Sequence, residues 1–68
     1  MQFTVEIEQE VDGRWIAEVA EIPGAMKYGS TKDEAIAHVE ALALRVLAER
    51  LENGEQLAEP IHINFAAA

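Results

Sequence analysis

The sequence predicts an α+β fold of element order βββαβ, one sheet covered on one face by one long helix. Three observations carry this. Two short segments near the N-terminus alternate apolar and polar residues, the mark of half-buried strands. A stretch of about twenty residues places apolar side chains at helical spacing behind a complete start signal. A last alternating segment follows a proline, and a lone helix beside strands has only a sheet face on which to bury its apolar side.

In the first strand Phe3, Val5 and Ile7 alternate with Gln2, Thr4, Glu6 and Glu8. In the second, Trp15, Ala17 and Val19 alternate with Arg14, Ile16, Glu18 and Ala20. Between them stands Val11-Asp12-Gly13. A two-residue Asp-Gly turn would set Ile7 opposite Glu18 and send the two apolar sets to opposite faces. A three-residue turn sets Ile7 opposite Ala17, Val5 opposite Val19 and Gln9 opposite Trp15, and keeps one face apolar. It also puts Gly13 where a left-handed residue is required. A slip of one residue would turn every side chain over, so the three-residue turn is expected.

The segment from Glu21 to Ala35, EIPGAMKYGSTKDEA, forms a strand-to-helix junction. Pro23-Gly24 is a turn, and Ala25 to Tyr28 can form a short third strand. Thr31 is an N-cap residue with Glu34 three positions on, a capping box in which the glutamate reaches back to the N-cap amide. Asp33 and Glu34 also put negative charge in the first turn, which the helix dipole favours. The helix is expected from Lys32 to about Leu51, stopping at Asn53-Gly54. Gln56 to Glu59 is a connector. Pro60 leads into the last strand, where Ile61, Ile63 and Phe65 alternate with His62 and Asn64, and the tail Ala66–Ala68 carries no functional signal.

The helix has two apolar stripes. Ala35, Ile36, Val39, Leu42, Ala43, Val46 and Leu47 share one broad face, the core stripe. Ala37, Ala41, Leu44, Ala48 and Leu51 lie on roughly the opposite side, with Glu40, Arg45, Glu49 and Glu52 between or beside them. One helix on one sheet cannot bury both. Alanine is a good helix former, which accounts for the small residues; Leu44 and Leu51 are better explained by a partner. Ala41, Leu44, Ala48 and Leu51 are therefore the expected oligomer interface.

The same hairpin register places Glu6 opposite Glu18 on the outer sheet face, with Glu8 opposite Ile16 and Glu10 near Arg14. Like charges directly opposite one another are mildly destabilising. Glu6, Glu8 and Glu18 are the candidate face for a basic partner, as against an ordinary solvated face.

Bulk properties narrow the function. Sixty-eight residues make one domain, residues 1–68, with a marginal core. With no cysteine, disulfides and thiolate metal sites are excluded, and His38 and His62 have no ligand-type spacing. Oligomerisation remains as a way to add buried surface. Thirteen acidic residues against five basic ones give a net charge of −8, and Arg14, Lys27, Lys32, Arg45 and Arg50 are scattered. Phosphate contacts need clustered cations, so direct nucleic-acid binding is not expected. No run is long and apolar enough for a membrane span, and no signal peptide is visible, so the expected location is the cytoplasm.

The pieces Phe3 to Gln9, Asp12-Gly13, Glu18 to Gly24 and Gly29 to Ala35 carry a resemblance. A strand, a D-G turn, a strand ending in E-x-P-G and a G-S/T-T-x-x-E-A helix start resemble the HicB-like antitoxin family. The resemblance covers most of the chain and implies a truncated ribonuclease-H-like fold. In that fold the last strand runs parallel beside the first, at the sheet edge away from the third. It also implies a protein that binds and blocks a basic HicA-type toxin, an mRNA interferase. Many such antitoxins also carry a C-terminal DNA-binding segment; none is expected of this sequence, so operator binding is not carried over. The alternative is an orphan oligomeric scaffold or small-ligand binder.

Catalysis is not expected, and no cofactor is implied. Ser30 and Thr31 are explained by capping, and the carboxylates belong to wet faces. The acidic residues Glu6, Glu8 and Glu10 do not form the convergent metal-binding set that a ribonuclease H-type reaction needs.

Overall fold

The computed structural model of the chain describes residues 1–55 and 60–68. Its elements are β1 (Gln2–Gln9), β2 (Trp15–Val19), β3 (Met26–Gly29), α1 (Lys32–Glu52) and β4 (Asn64–Ala67). They build one four-stranded sheet of order β3-β2-β1-β4 with α1 on one face. β1–β2 and β2–β3 are antiparallel, and β4 runs parallel to β1. The expected connector at 56–59 lies outside the described residues.

The hairpin has the register that face segregation demands. Val5 pairs with Val19, Glu6 with Glu18, Ile7 with Ala17, Glu8 with Ile16 and Gln9 with Trp15. The Glu10 amide donates to the Arg14 carbonyl at 2.7 Å and the Gly13 amide to the Glu10 carbonyl at 3.0 Å, which closes a three-residue turn. Gly13 has φ 92°, a left-handed conformation that other residues adopt only at a cost. Arg14 lies across the turn from Glu10 as expected, but its side chain pairs with Asp12 at 2.8 Å, because the turn brings that carboxylate under the guanidinium.

β2 leads into β3 through a turn at Pro23-Gly24 closed by the Ala25 amide on the Ile22 carbonyl at 3.0 Å. β3 begins one residue later than expected, at Met26. Ala25 belongs to the turn, where it is buried. Glu21 clasps this link to β1: the Thr4 amide and hydroxyl each donate to its carboxylate at 2.7 Å. Those bonds, the amide first, hold the Glu21 carboxyl below its usual range. A depressed folded-state pKa means stabilisation that is present at neutral pH and lost as pH falls through that pKa. Glu21→Gln should therefore melt below the wild type at neutral pH, with the difference closing in strong acid. Melting curves across that range that stay parallel would exclude the clasp as their source.

The Thr31 hydroxyl caps α1, accepting from the Glu34 amide at 3.1 Å. The reciprocal bond of the capping box runs from the Ser30 amide to Glu34 Oε1 at 3.3 Å, one residue before the N-cap. The helix ends at Asn53, whose amide returns to the Glu49 carbonyl at 2.9 Å.

β4 departs most from the sequence expectation. It begins at Asn64 and not at Ile61, and it recruits Ala66 and Ala67 from the apparent tail. The register Phe3 with Phe65 and Val5 with Ala67 explains this. Phe65 stacks on Phe3 with ring centroids 5.5 Å apart, which fixes the strand three residues downstream of the first isoleucine. Asn64 then faces outward and donates to Gln2 Oε1 at 3.1 Å.

Among the described residues the buried core is formed by Phe3, Val5, Ala17, Val19, Ile22, Ala25, Ala35, Val39, Ala43 and Leu47. Four of these are alanines, so α1 approaches the sheet closely. It rests on β2 and β3 and touches β1 at few points. The β1–β4 half of that face is left partly uncovered.

Candidate functional site

Three surface features stand out on this frame. The first is the outer face of the sheet. β-strand alternation sends even-numbered residues of β1, β2 and β3 to this side. Two cross-strand rows result: Glu6–Glu18–Met26 and Glu8–Ile16–Tyr28. Glu6, Glu8, Glu10, Glu18, Ile16 and Met26 line a shallow cleft of about 220 Å³. Tyr28 and Met26 are each 44% exposed, large apolar groups beside the carboxylates. The Arg14 guanidinium lies over the Tyr28 ring at 4.5 Å, a cation–π contact, while its Nε is held by Asp12. The Asp12 carboxyl is held below its usual range by the Arg14 backbone amide and then by the Arg14 side chain. Among the described residues no cation pairs with Glu6, Glu8 or Glu18.

The structure thus brings Glu6, Glu8 and Glu18 onto one surface, with Glu6 and Glu18 directly opposite. Their apolar neighbours Met26 and Tyr28 were not foreseen. The register of β3 follows from its pairing with β2, and four residues offered too little alternation to reveal it.

The second feature is the solvent side of α1. Leu44 is 45% exposed, Ala37 and Ala48 are exposed, and Ala41 and Leu51 are half-buried. The core stripe faces the sheet as expected. Beside Ala41, the side chains of Lys27, His38 and Arg45 line a cleft of about 270 Å³. Lys27 is brought there by the pairing of Ala17 with Lys27, which puts it on the helix side of edge strand β3. His38 Nδ1 lies 3.1 Å from the Tyr28 carbonyl, so in the neutral ring that nitrogen carries the hydrogen and donates.

The third feature is a groove where α1 fails to cover β1 and β4. Val5, Ile7, Trp15, Ile36 and Phe65 line it, with Lys32 and Glu40, around about 290 Å³. The groove escaped sequence reasoning because it depends on how far the helix is displaced across the sheet.

Among the described residues no three His, Cys, Asp or Glu side chains converge as a metal ion would need, and no helix is long and apolar enough to cross a membrane. Comparisons with models of known protein families, with curated proteins and with solved structures found no match to this chain.

Proposed function

We propose that this chain is a cytoplasmic, self-associating protein-interaction module, similar to a HicB-type antitoxin. Its acidic sheet face would dock on a basic HicA-type mRNA interferase and mask it, without nucleic-acid contacts of its own. The observation that supports this reading is the outer face, where Glu6, Glu8 and Glu18 stand without cationic partners among the described residues, next to exposed Met26 and Tyr28. Opposed carboxylates cost stability in the free protein. A basic partner would relieve that cost, and the adjacent apolar groups would supply area that becomes dry on docking.

The test is calorimetric titration with a purified, catalytically silenced HicA-type toxin. A complex is expected whose affinity falls with added salt, and Glu6→Lys with Glu18→Lys should weaken it by roughly tenfold or more. Absence of a complex at low salt, or affinity indifferent to both salt and charge reversal, would sink the reading.

A second reading, a scaffold that binds a small apolar ligand, is favoured by the groove around Ile7 and Phe65. Trp15, the only tryptophan, lines that groove and serves as its reporter. Titration with the apolar dye anilinonaphthalene sulfonate should then change Trp15 emission saturably. Emission unchanged at dye saturation would remove this alternative.

A further inference from the structure

The solvent-side apolar residues of α1 fall at 37, 41, 44, 48 and 51, in strict steps of four and three. That spacing is the narrow seam of a two-stranded coiled coil, and it differs from the broad stripe with which the same helix covers its sheet. In heptad terms Ala41 and Ala48 are a positions, and Ala37, Leu44 and Leu51 are d positions. Asp33 and Glu40 then occupy g, and His38 and Arg45 occupy e. From Asp33 to Arg45 the seam is acidic on one flank and basic on the other; the next e position is Glu52, so the charge pattern ends at Arg45.

Glu40 and Arg45 cannot satisfy each other within one chain, since five residues of helix separate them by about 140° around the axis. Among the described residues neither has an ion-pair partner, Asp12–Arg14 being the one salt bridge there. Arg45 shares its cleft with Lys27 and His38, a local cluster of basic groups on a chain of net charge −8. Something acidic would complement that flank.

We propose that α1 forms the seam of a parallel, two-fold dimer of this chain, in which Glu40 of each copy pairs with Arg45 of the other and Asp33 faces His38. The proposal rests on the self-association reading above and adds its orientation and register. Two-fold symmetry about an axis along the helices brings the acidic flank of each copy against the basic flank of its partner, twice. An antiparallel pair would instead bring each flank against its own kind, acid on acid and base on base. The g-to-e pairing of parallel coiled coils is the arrangement this charge pattern fits. Small a residues would let the two backbones approach, with Leu44 filling the space between them. The seam is short: the following g position is Leu47, which is only 4% exposed in its own core.

The chain has no cysteine, so single introduced thiols report unambiguously. In a parallel seam every seam residue lies beside its own copy. Ala37→Cys and Ala48→Cys should therefore each oxidise to a disulfide-linked dimer. In an antiparallel pair at most one of these positions can sit at the crossing point, because they are about 16 Å apart along the helix. Linking of only one variant, or of neither, overturns the parallel arrangement.

Sedimentation of the wild type and of Leu44→Glu separates this from the underlying reading. A monomeric wild type refutes self-association itself. A dimer that persists in Leu44→Glu refutes this surface, whereas a dimer lost in Leu44→Glu supports it and leaves the orientation to the thiol pair. Charge exchange gives a second check. Glu40→Arg and Arg45→Glu should each weaken the dimer, by roughly tenfold. An equimolar mixture of the two should regain wild-type affinity as a heterodimer, since each seam then has one acid and one base. A mixture no tighter than either variant alone counts against the pairing.

Discussion

Gly29→Ala is expected to be the most damaging conservative substitution in the domain, lowering unfolding free energy by about 3 kcal/mol or more. Gly29 ends β3 opposite Trp15 and is buried against the first turn of α1. A β-carbon there would collide with the Ala35 amide nitrogen and lie 2.9 Å from the Ala35 Cα. Both are backbone atoms, so no side-chain rotation can relieve the clash. The helix would have to lift from the sheet and expose Ala35 and Val39. Gly13→Ala is the informative contrast. Nothing lies within 4 Å of a β-carbon at Gly13, and only its φ of 92° resists substitution. That change should cost about 1 kcal/mol. Urea unfolding of both variants checks the order; a Gly29→Ala protein as stable as Gly13→Ala would show that the strand–helix junction can give way cheaply.

Val39→Asp should leave the chain unfolded at neutral pH. Val39 is 0% exposed and, with Val19, is the largest fully enclosed side chain among the described residues. An ionised carboxylate there has no donor to meet it, and an unpaired buried charge costs several kcal/mol, comparable to the whole stability of a small domain, which is at the lower end of about 5–15 kcal/mol. Leu44→Glu introduces a similar charge five residues later, on a side chain that is 45% exposed, and should leave the fold intact. Far-UV circular dichroism with thermal melting distinguishes them. A cooperative Val39→Asp transition near that of the wild type would mean that the helix does not bury the face assigned to it.

The local elements were legible because each is dictated by residues close in sequence. The hairpin register follows from the place of Asp12-Gly13 and one requirement, that Phe3, Val5, Ile7, Ala17 and Val19 share a face; of a two-residue and a three-residue turn there, only the longer meets it. Thr31 and Glu34 announce the helix start for the same reason, since the amides they satisfy lie within one turn. The details that escaped depend on groups that meet only in space. Glu34 reaches the Ser30 amide, and Arg14 turns to Asp12, because the turns place those atoms nearer than the expected partners.

The sequence by itself determined the fold class, the pairing of β1 with β2, and the two apolar sides of the helix, because periodicity encodes which residues share a face. Only the tertiary structure decided where β4 begins, since its register depends on Phe65 stacking against Phe3 more than sixty positions away. It also decided that α1 covers β2 and β3 and leaves a groove beside β1, and that exposed Lys27 shares a surface cleft with Arg45. Periodicity says that a face is apolar or acidic. What stands next to that face is set by the offset between packed elements, and that offset is fixed by the volumes of Gly29, Ala35 and the other small residues where helix and sheet touch.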